Sequence, residues 1–484
     1  MVLQQRARGR PIAHRRTHCM RIYSTASPKG ARKSPQYPLT AMPAASIVRI
    51  TIFRACRQEA PAFPESSGIM TVGRTIESIV IAGAGLAGAT AARTLRSEGY
   101  RGRISLIGAE PHHPYLRPPL SKEYLLGKAG EDAVPVAPDA WYAENDVDLR
   151  LGVTVAAVDP GPHTVHLSGG GSLGYDALLL ATGALPRRIP LPGSGLDGVA
   201  TFRTLDDSRR LREQLLPGGK NVVMIGSGWI GMELAAAATA YGNQVTLLGL
   251  EDIPLAAAVG PELGTFFRSL HEANGVRFRL GATAAELRGD SGRVTAVVTG
   301  SGEILPADVV VVAVGVAPDI SLAEAAGLAI DNGILADASL RTSATDIFAA
   351  GDVANALHPF TGQHHRSEHW SNALNGGKVA AKSMLGQEAT LDTIPYFYTD
   401  QYDISMEYSG FPTLAAGAEP VIRGTLAGKE FIAFWQHEGR VVAGMNVNIP
   451  RTQKAIKALI SSRATIKPGR LADPAVALDQ LLAD

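Results

Sequence analysis

Two stretches of the chain repeat one pattern of apolar and small residues. The run Ser78 to Ala82 is apolar after its first position and passes into Gly83-Ala-Gly85-Leu-Ala-Gly88. An Ala-rich helical stretch and a second apolar run, Ile104 to Ile107, follow, ending near Glu110. The run Asn221 to Ile225 behaves alike. Gly226-Ser-Gly228-Trp-Ile-Gly231 follows it, then a helical stretch from Met232 to Ala240 and a strand from Gln244 to Leu248. A short apolar run bounded by glycine reads as a strand buried on both faces, so each segment predicts a parallel strand–turn–helix–strand unit. In such a unit the glycines allow a tight turn, the approach of a pyrophosphate and close helix–strand packing, while the helix N-terminus offers free N–H groups to the anion. One Gly-x-Gly-x-x-Gly is a weak signal; here strand, turn, helix, second strand and acid agree, and the pattern recurs about 140 residues later. Two dinucleotides bound by one chain are the expectation.

Two further runs belong with the first unit. Tyr175 to Gly183 closes on Ala181-Thr182-Gly183, and Thr345 to Val353 closes on Ala349-Ala-Gly351-Asp352. An acid after such a strand hydrogen-bonds the ribityl hydroxyls of FAD, a contact of about 1.5 to 3 kcal/mol, or caps a helix. Beyond Leu391, strands are expected at Ile394 to Tyr398, Ser405 to Gly410, Glu419 to Arg423, Glu430 to Trp435 and Arg440 to Asn446, with a helix near Thr452 to Ser461. The fold class is α/β: two Rossmann-like dinucleotide-binding domains plus a C-terminal α+β domain. The first domain is expected to be discontinuous, 70–185 and 317–389, with the second inserted at 186–316 and the third at 390–484.

Composition narrows the function. With 484 residues, 45% hydrophobic and 19% charged, the chain reads as a globular protein of two or three domains. No run approaches the roughly 20 apolar residues of a membrane helix, so no membrane span is expected. The first 69 residues hold 12 of the 46 basic and 2 of the 45 acidic residues. That segment reads as an organelle transit peptide, a basic tail, or a misplaced translation start ahead of Met70. The expected location is cytoplasmic, or mitochondrial if the segment is a transit peptide. What remains has 34 basic against 43 acidic residues, a net charge of −9 that argues against nucleic-acid binding by bulk charge. Both cysteines, Cys19 and Cys56, lie in the basic segment, so neither a disulfide framework nor a Cys-rich metal site is expected, and no metal is assigned.

From about Ile76 onward the chain resembles the pyridine nucleotide-disulfide oxidoreductase superfamily, and within it the ferredoxin reductase branch of putidaredoxin- and rhodocoxin-reductase-like enzymes that serve oxygenases and cytochromes P450. The resemblance rests on Pro114-Tyr-Leu-Arg117-Pro-Pro-Leu-Ser-Lys122, with ATGALPRR at Ala181, GMELAAAA at Gly231, RSEHWSNA at Arg366 and PYFYTDQYD at Pro395. It implies a glutathione-reductase-like fold. It also implies that Lys122 approaches the isoalloxazine ring of FAD, that Glu233 faces the nicotinamide and pairs with Lys122, and that Arg187 contacts the FAD phosphate or adenosine side. Ala87, Val155 and Trp370 are expected to line the flavin pocket, Trp370 as a shield, an electron path or a plain core aromatic. Gly83, Gly85, Gly88, Ala109, Glu110, Arg117, Thr182, Gly183, Gly315, Gly351 and Asp352 complete the expected cofactor contacts, with Gly226, Gly228, Gly231 and Glu251 on the nicotinamide side.

The lack of cysteine after Cys56 removes the redox dithiol of the disulfide reductases, so the acceptor lies outside the chain. A [2Fe–2S] ferredoxin or a rubredoxin suits a reduced flavin that gives up single electrons. Gly249 stands where NADH-specific members of the branch usually carry an acid for the ribose 2′-OH; Glu251 either takes over that role or is solvated, and NADH is favoured, with a relaxed preference over NADPH. Arg451, Lys454 and Lys457 on the last helix are a candidate face for an acidic ferredoxin or a solvated face. The expectation is an FAD-dependent NAD(P)H:ferredoxin oxidoreductase, monomer or homodimer. The alternatives are an NADH-sensing flavoprotein of the apoptosis-inducing-factor kind and a monodehydroascorbate-type reductase with a small-molecule acceptor.

Overall fold

The structure, a computed structural model, describes residues 76–482, so the basic segment 1–69 lies outside the described residues. The first sheet is parallel, in the order Ile347–Ala349, Ala177–Leu180, Ser78–Ala82, Arg103–Gly108 and Val147–Leu151. Its central strands are apolar at successive positions because both faces are covered. Ile79 and Ile81 pack with the helices Leu86–Ser97 and Trp370–Met384, whereas Val80 and Ala82 pack on the other side with Val158, Val165 and Tyr175.

The second sheet repeats this arrangement, in the order Arg277–Arg279, Gln244–Leu248, Asn221–Ile225, Val309–Val312 and Val199–Thr201. An antiparallel pair, Ala184–Pro186 with Val316–Pro318, carries the chain between the two sheets. Two of the glycines in the first turn do different work. A Cβ on Gly88 would meet the Gly83 carbonyl oxygen at 2.0 Å, so helix and strand close only with glycine there; a Cβ on Gly85 would meet nothing within 4 Å, so that position faces open space.

The third sheet is antiparallel, in the order Tyr396–Gln401, Ile404–Gly410, Arg440–Val447, Glu430–His437 and Val421–Thr425. Alternate side chains split between two cores. Phe431, Ala433 and Met406 pack toward Leu263 and Phe267 of the second dinucleotide unit, while Ile432 and Phe434 pack on Ile456 and Ile460 of the helix Gln453–Ser462. That helix starts at Gln453, and Arg451 precedes it with φ +65°, so Arg451, Lys454 and Lys457 do not share one helical face. Lys457 instead lies 4.6 Å over the Tyr396 ring, and burial lowers its pKa. Among the described residues no helix is long and apolar enough to cross a membrane.

Candidate functional site

A cleft of about 440 Å³ opens beyond the carboxyl ends of the first sheet, where ligands of open parallel sheets bind. The helix Trp229–Ala240 of the second unit and the strand Tyr396–Gln401 of the third form its other walls. Gly83, Gly85, Ala87, Ala109, Glu110, Arg117, Lys122, Thr182, Gly183, Glu233, Gly315, Gly351, Asp352 and Trp370 all line it.

Lys122 and Glu233, 111 positions apart in sequence, meet at its centre. The turn Pro118–Ser121, opened by two prolines, aims Lys122 inward, and the first turns of the helix Trp229–Ala240 deliver Glu233. Lys122 Nζ lies 2.8 Å from Glu233 Oε1, and the two side chains are 7% and 3% exposed, so neither is a surface group. Ser121 Oγ donates to Glu233 Oε2 at 2.5 Å and Thr399 Oγ1 donates to Oε1 at 2.6 Å. Two hydroxyls and an ammonium thus satisfy a carboxylate whose burial would otherwise be costly. Lys122 also lies 5.4 Å over the Tyr398 ring.

Glu110 lies two residues beyond the first unit's second strand, Arg103–Gly108, and it is already held. Tyr115 donates to Oε2 at 2.5 Å and Arg117 Nη2 to Oε1 at 3.0 Å. Burial and the neighbouring carboxylate push the Tyr115 hydroxyl well above its ordinary pKa, so it stays protonated and donates.

Asp352 sits in the single turn Gly351–Val353, and its partner was not foreseen. Arg203 Nη2 lies 2.5 Å from Asp352 Oδ2, and Arg203 Nε is buried with no hydrogen-bond partner. Arg203 directly precedes the capping box of Thr204 and Asp207 that starts the helix Leu205–Leu215. A basic residue beside a capped helix start is the only sequence signal it carries. Arg187, expected at the FAD phosphate, is exposed outside the cleft, and its Nε donates to the Val316 carbonyl at 3.1 Å. It directly follows the linking strand Ala184–Pro186. Val155 is likewise outside: its side chain packs in the core beneath the sheet with Val80 and Ile107.

Trp370 opens the helix Trp370–Met384 at the cleft wall, and the preceding His369 stacks on Phe397 at 4.5 Å between ring centroids. Burial lowers the His369 pKa to about 4, so its ring is neutral at pH 7. Gly226, Gly228, Gly231 and Glu251 lie outside the cleft, although Trp229, Ile230 and Glu233 of the same turn and helix line it. Glu251 is exposed. A Cβ on Gly249 would meet Ser227 Oγ at 2.5 Å, so the serine of the second glycine turn crowds any side chain at that position.

These residues fit FAD. The helix Leu86–Ser97 has no side-chain cap, leaving its first N–H groups for a pyrophosphate beside open space at Gly85, and Arg203 lines the same cleft.

Comparison with known proteins agrees with this geometry. Residues 77–377 match the pyridine nucleotide-disulphide oxidoreductase family and residues 396–482 a reductase C-terminal family. The chain is 39% identical over 410 residues to the anthranilate 1,2-dioxygenase system ferredoxin–NAD(+) reductase component of Burkholderia cepacia, covering 84% of this chain and 99% of that protein. It is 36% identical over 414 residues to putidaredoxin reductase CamA of Pseudomonas putida, covering 84% and 97%. It also superimposes on the reductase in a crystal structure of the covalent putidaredoxin reductase–putidaredoxin complex, with TM-score 0.81, 34% identity, and 84% and 98% of the two chains covered.

Proposed function

Because the chain belongs to the pyridine nucleotide-disulphide oxidoreductase family, we propose that it is an FAD-dependent NAD(P)H:ferredoxin reductase that passes single electrons to a [2Fe–2S] ferredoxin or a rubredoxin feeding an oxygenase or a cytochrome P450. The observation that carries this reading is the buried Lys122–Glu233 pair, which joins the first glycine-turn unit to the second inside one cleft. Bound there, FAD supplies the redox chemistry, taking a hydride from the nicotinamide and giving electrons up singly.

The chain's own residues bind and orient. The Lys122 ammonium stabilises negative charge at the cleft centre, and Glu233 fixes where that ammonium points. Asp352 and Arg203 hold the ribityl and pyrophosphate region, and Glu110, braced by Tyr115 and Arg117, takes the adenine-side ribose. Tyr398 and Trp370 wall the cleft against water. We read 70–185 with 317–389 as the FAD domain, 186–316 as the nicotinamide domain and 390–484 as the domain facing the redox partner, working in the cytoplasm. The names of the relatives favour this over an NADH-sensing flavoprotein or a monodehydroascorbate-type reductase.

The test is an anaerobic titration of the purified protein with NADH and with NADPH, followed by turnover with a [2Fe–2S] ferredoxin and cytochrome c. Prompt bleaching of the flavin bands and ferredoxin-dependent cytochrome reduction are expected. Turnover with a small-molecule acceptor alone would refute the reading.

A further inference from the structure

A line of hydrogen bonds leaves the cleft through Glu233 and crosses into the interface between the second and third sheets. Thr399 Oγ1 donates to Glu233 Oε1 at 2.6 Å, and Gln401 Nε2 donates to Thr399 Oγ1 at 3.1 Å. His271 Nε2 lies 2.8 Å from Gln401 Oε1, and the Tyr402 hydroxyl 3.3 Å from His271 Nδ1. The carboxylate end sets the direction of the whole line. Ionised Glu233 only accepts, so Thr399 must give it its hydroxyl proton and take its own donor from the amide of Gln401. The carbonyl of Gln401 then requires a proton on His271 Nε2, which leaves Nδ1 an acceptor facing the Tyr402 hydroxyl, itself also 3.2 Å from Thr239 Oγ1.

Four of the five members are enclosed, and Tyr402 at the far end is half-buried. Thr399 and Gln401 are each 1% exposed, His271 is not exposed at all, and Glu233 is 4% exposed. Period-two geometry puts Thr399 and Gln401 on one face of the strand Tyr396–Gln401, and His271 comes from the helix Pro261–Ala273. In a dry interior such a chain polarises along its length and holds its end group in one orientation.

We infer that Thr399, held in turn by Gln401 and His271, is a positioning residue for Glu233, so that the seating of the C-terminal strand on the nicotinamide unit sets where the Glu233–Lys122 pair points in the cleft. The inference rests on the function proposed above. Glu233 Oε1 is shared between Thr399 and Lys122; without the hydroxyl, that oxygen is held by the ammonium alone and the carboxylate turns toward it.

The test uses holoenzyme and compares Thr399→Val, which keeps the shape and loses the donor, with Thr399→Ser, which keeps the donor and loses the methyl. Single-turnover flavin reduction by NADH should slow about tenfold in Thr399→Val, with half-saturation changed less than about twofold, and stay within about twofold of wild type in Thr399→Ser. A packing role predicts the reverse order. His271→Phe should slow reduction about threefold, and the double variant with Thr399→Val should be no slower than Thr399→Val alone. Flavin content checks that each variant folds. A readout independent of turnover is the nitrogen-15 spectrum of His271, expected as the Nε2–H tautomer. The Nδ1–H tautomer would reverse the donor order and overturn the inference. Unaltered reduction in Thr399→Val, or equal loss in Thr399→Ser, would overturn it too. If wild-type flavin is reduced by neither nicotinamide, the proposed function fails instead, and the histidine spectrum still decides the chain.

Discussion

Replacing Arg203 by Met should strip the protein of much of its FAD affinity, while the same change at Arg187 should not. Arg203 lines the cleft, its Nη2 lies 2.5 Å from Asp352 Oδ2, and the two side chains are 21% and 11% exposed. A charge-assisted hydrogen bond to a pyrophosphate oxygen contributes about 1.5 to 3 kcal/mol, or roughly 10- to 150-fold in affinity. Methionine also leaves the Asp352 carboxylate uncompensated next to an anionic ligand, which places the expected loss in the upper part of that range. The assay is a titration of flavin-free protein with FAD, followed by quenching of flavin fluorescence at low and high salt. Arg187→Met should change the dissociation constant by less than about threefold, because that guanidinium is exposed and its Nε serves the Val316 carbonyl. Equal losses in the two variants, or a larger loss for Arg187→Met, would refute the reasoning.

Gly85→Ala should fold with wild-type thermal stability and bind FAD at least tenfold more weakly, whereas Gly88→Ala should fail to accumulate as folded protein, since its Cβ would lie 2.0 Å from the Gly83 oxygen. Expression level, melting temperature and flavin content separate the two. Gly249→Glu alone should lose activity with both nicotinamides because its Cβ meets Ser227 Oγ at 2.5 Å, while Ser227→Gly with Gly249→Glu should raise the NADH to NADPH ratio of kcat/KM about tenfold or more; an active single variant would show that the serine yields. His271 and His369 have pKa values lowered from 6.5 to about 4, chiefly by burial. Below pH 6.5 the unfolded chain takes up protons that these folded histidines refuse, so stability falls as pH drops from 6.5 toward 4, by up to about 3 kcal/mol for each. Denaturant midpoints across that range should drop more gently in His271→Phe than in wild type, and parallel slopes would rule out His271 as a source.

Much of the fold was legible in the chain because each parallel strand is a local record of its surroundings. Ser78–Ala82 and Asn221–Ile225 are apolar at successive positions, and only a strand covered on both faces needs that. The glycine turns were legible for a similar reason, since a backbone that must touch another backbone leaves no room for a side chain. The antiparallel strands beyond Leu391 shifted by about two residues at their ends, where turn geometry rather than burial sets the limit.

The site divided differently. Glycines at the cleft were visible locally, and the meeting of Lys122 with Glu233 was anticipated through the resemblance alone, since nothing in the 110 intervening residues records a contact. Arg187 and Arg203 show what one dimension lacks. Both are arginines near the end of a short strand, and only the folded chain decides which faces the cleft and which faces water. Thr399, Gln401 and His271 carry no motif, because a hydrogen bond between units needs one atom at one place and leaves no periodic trace. Burial acts on every residue of an element and so writes a pattern into the sequence; directed polar contacts act on single atoms brought together from distant segments, and tertiary structure alone assigns them.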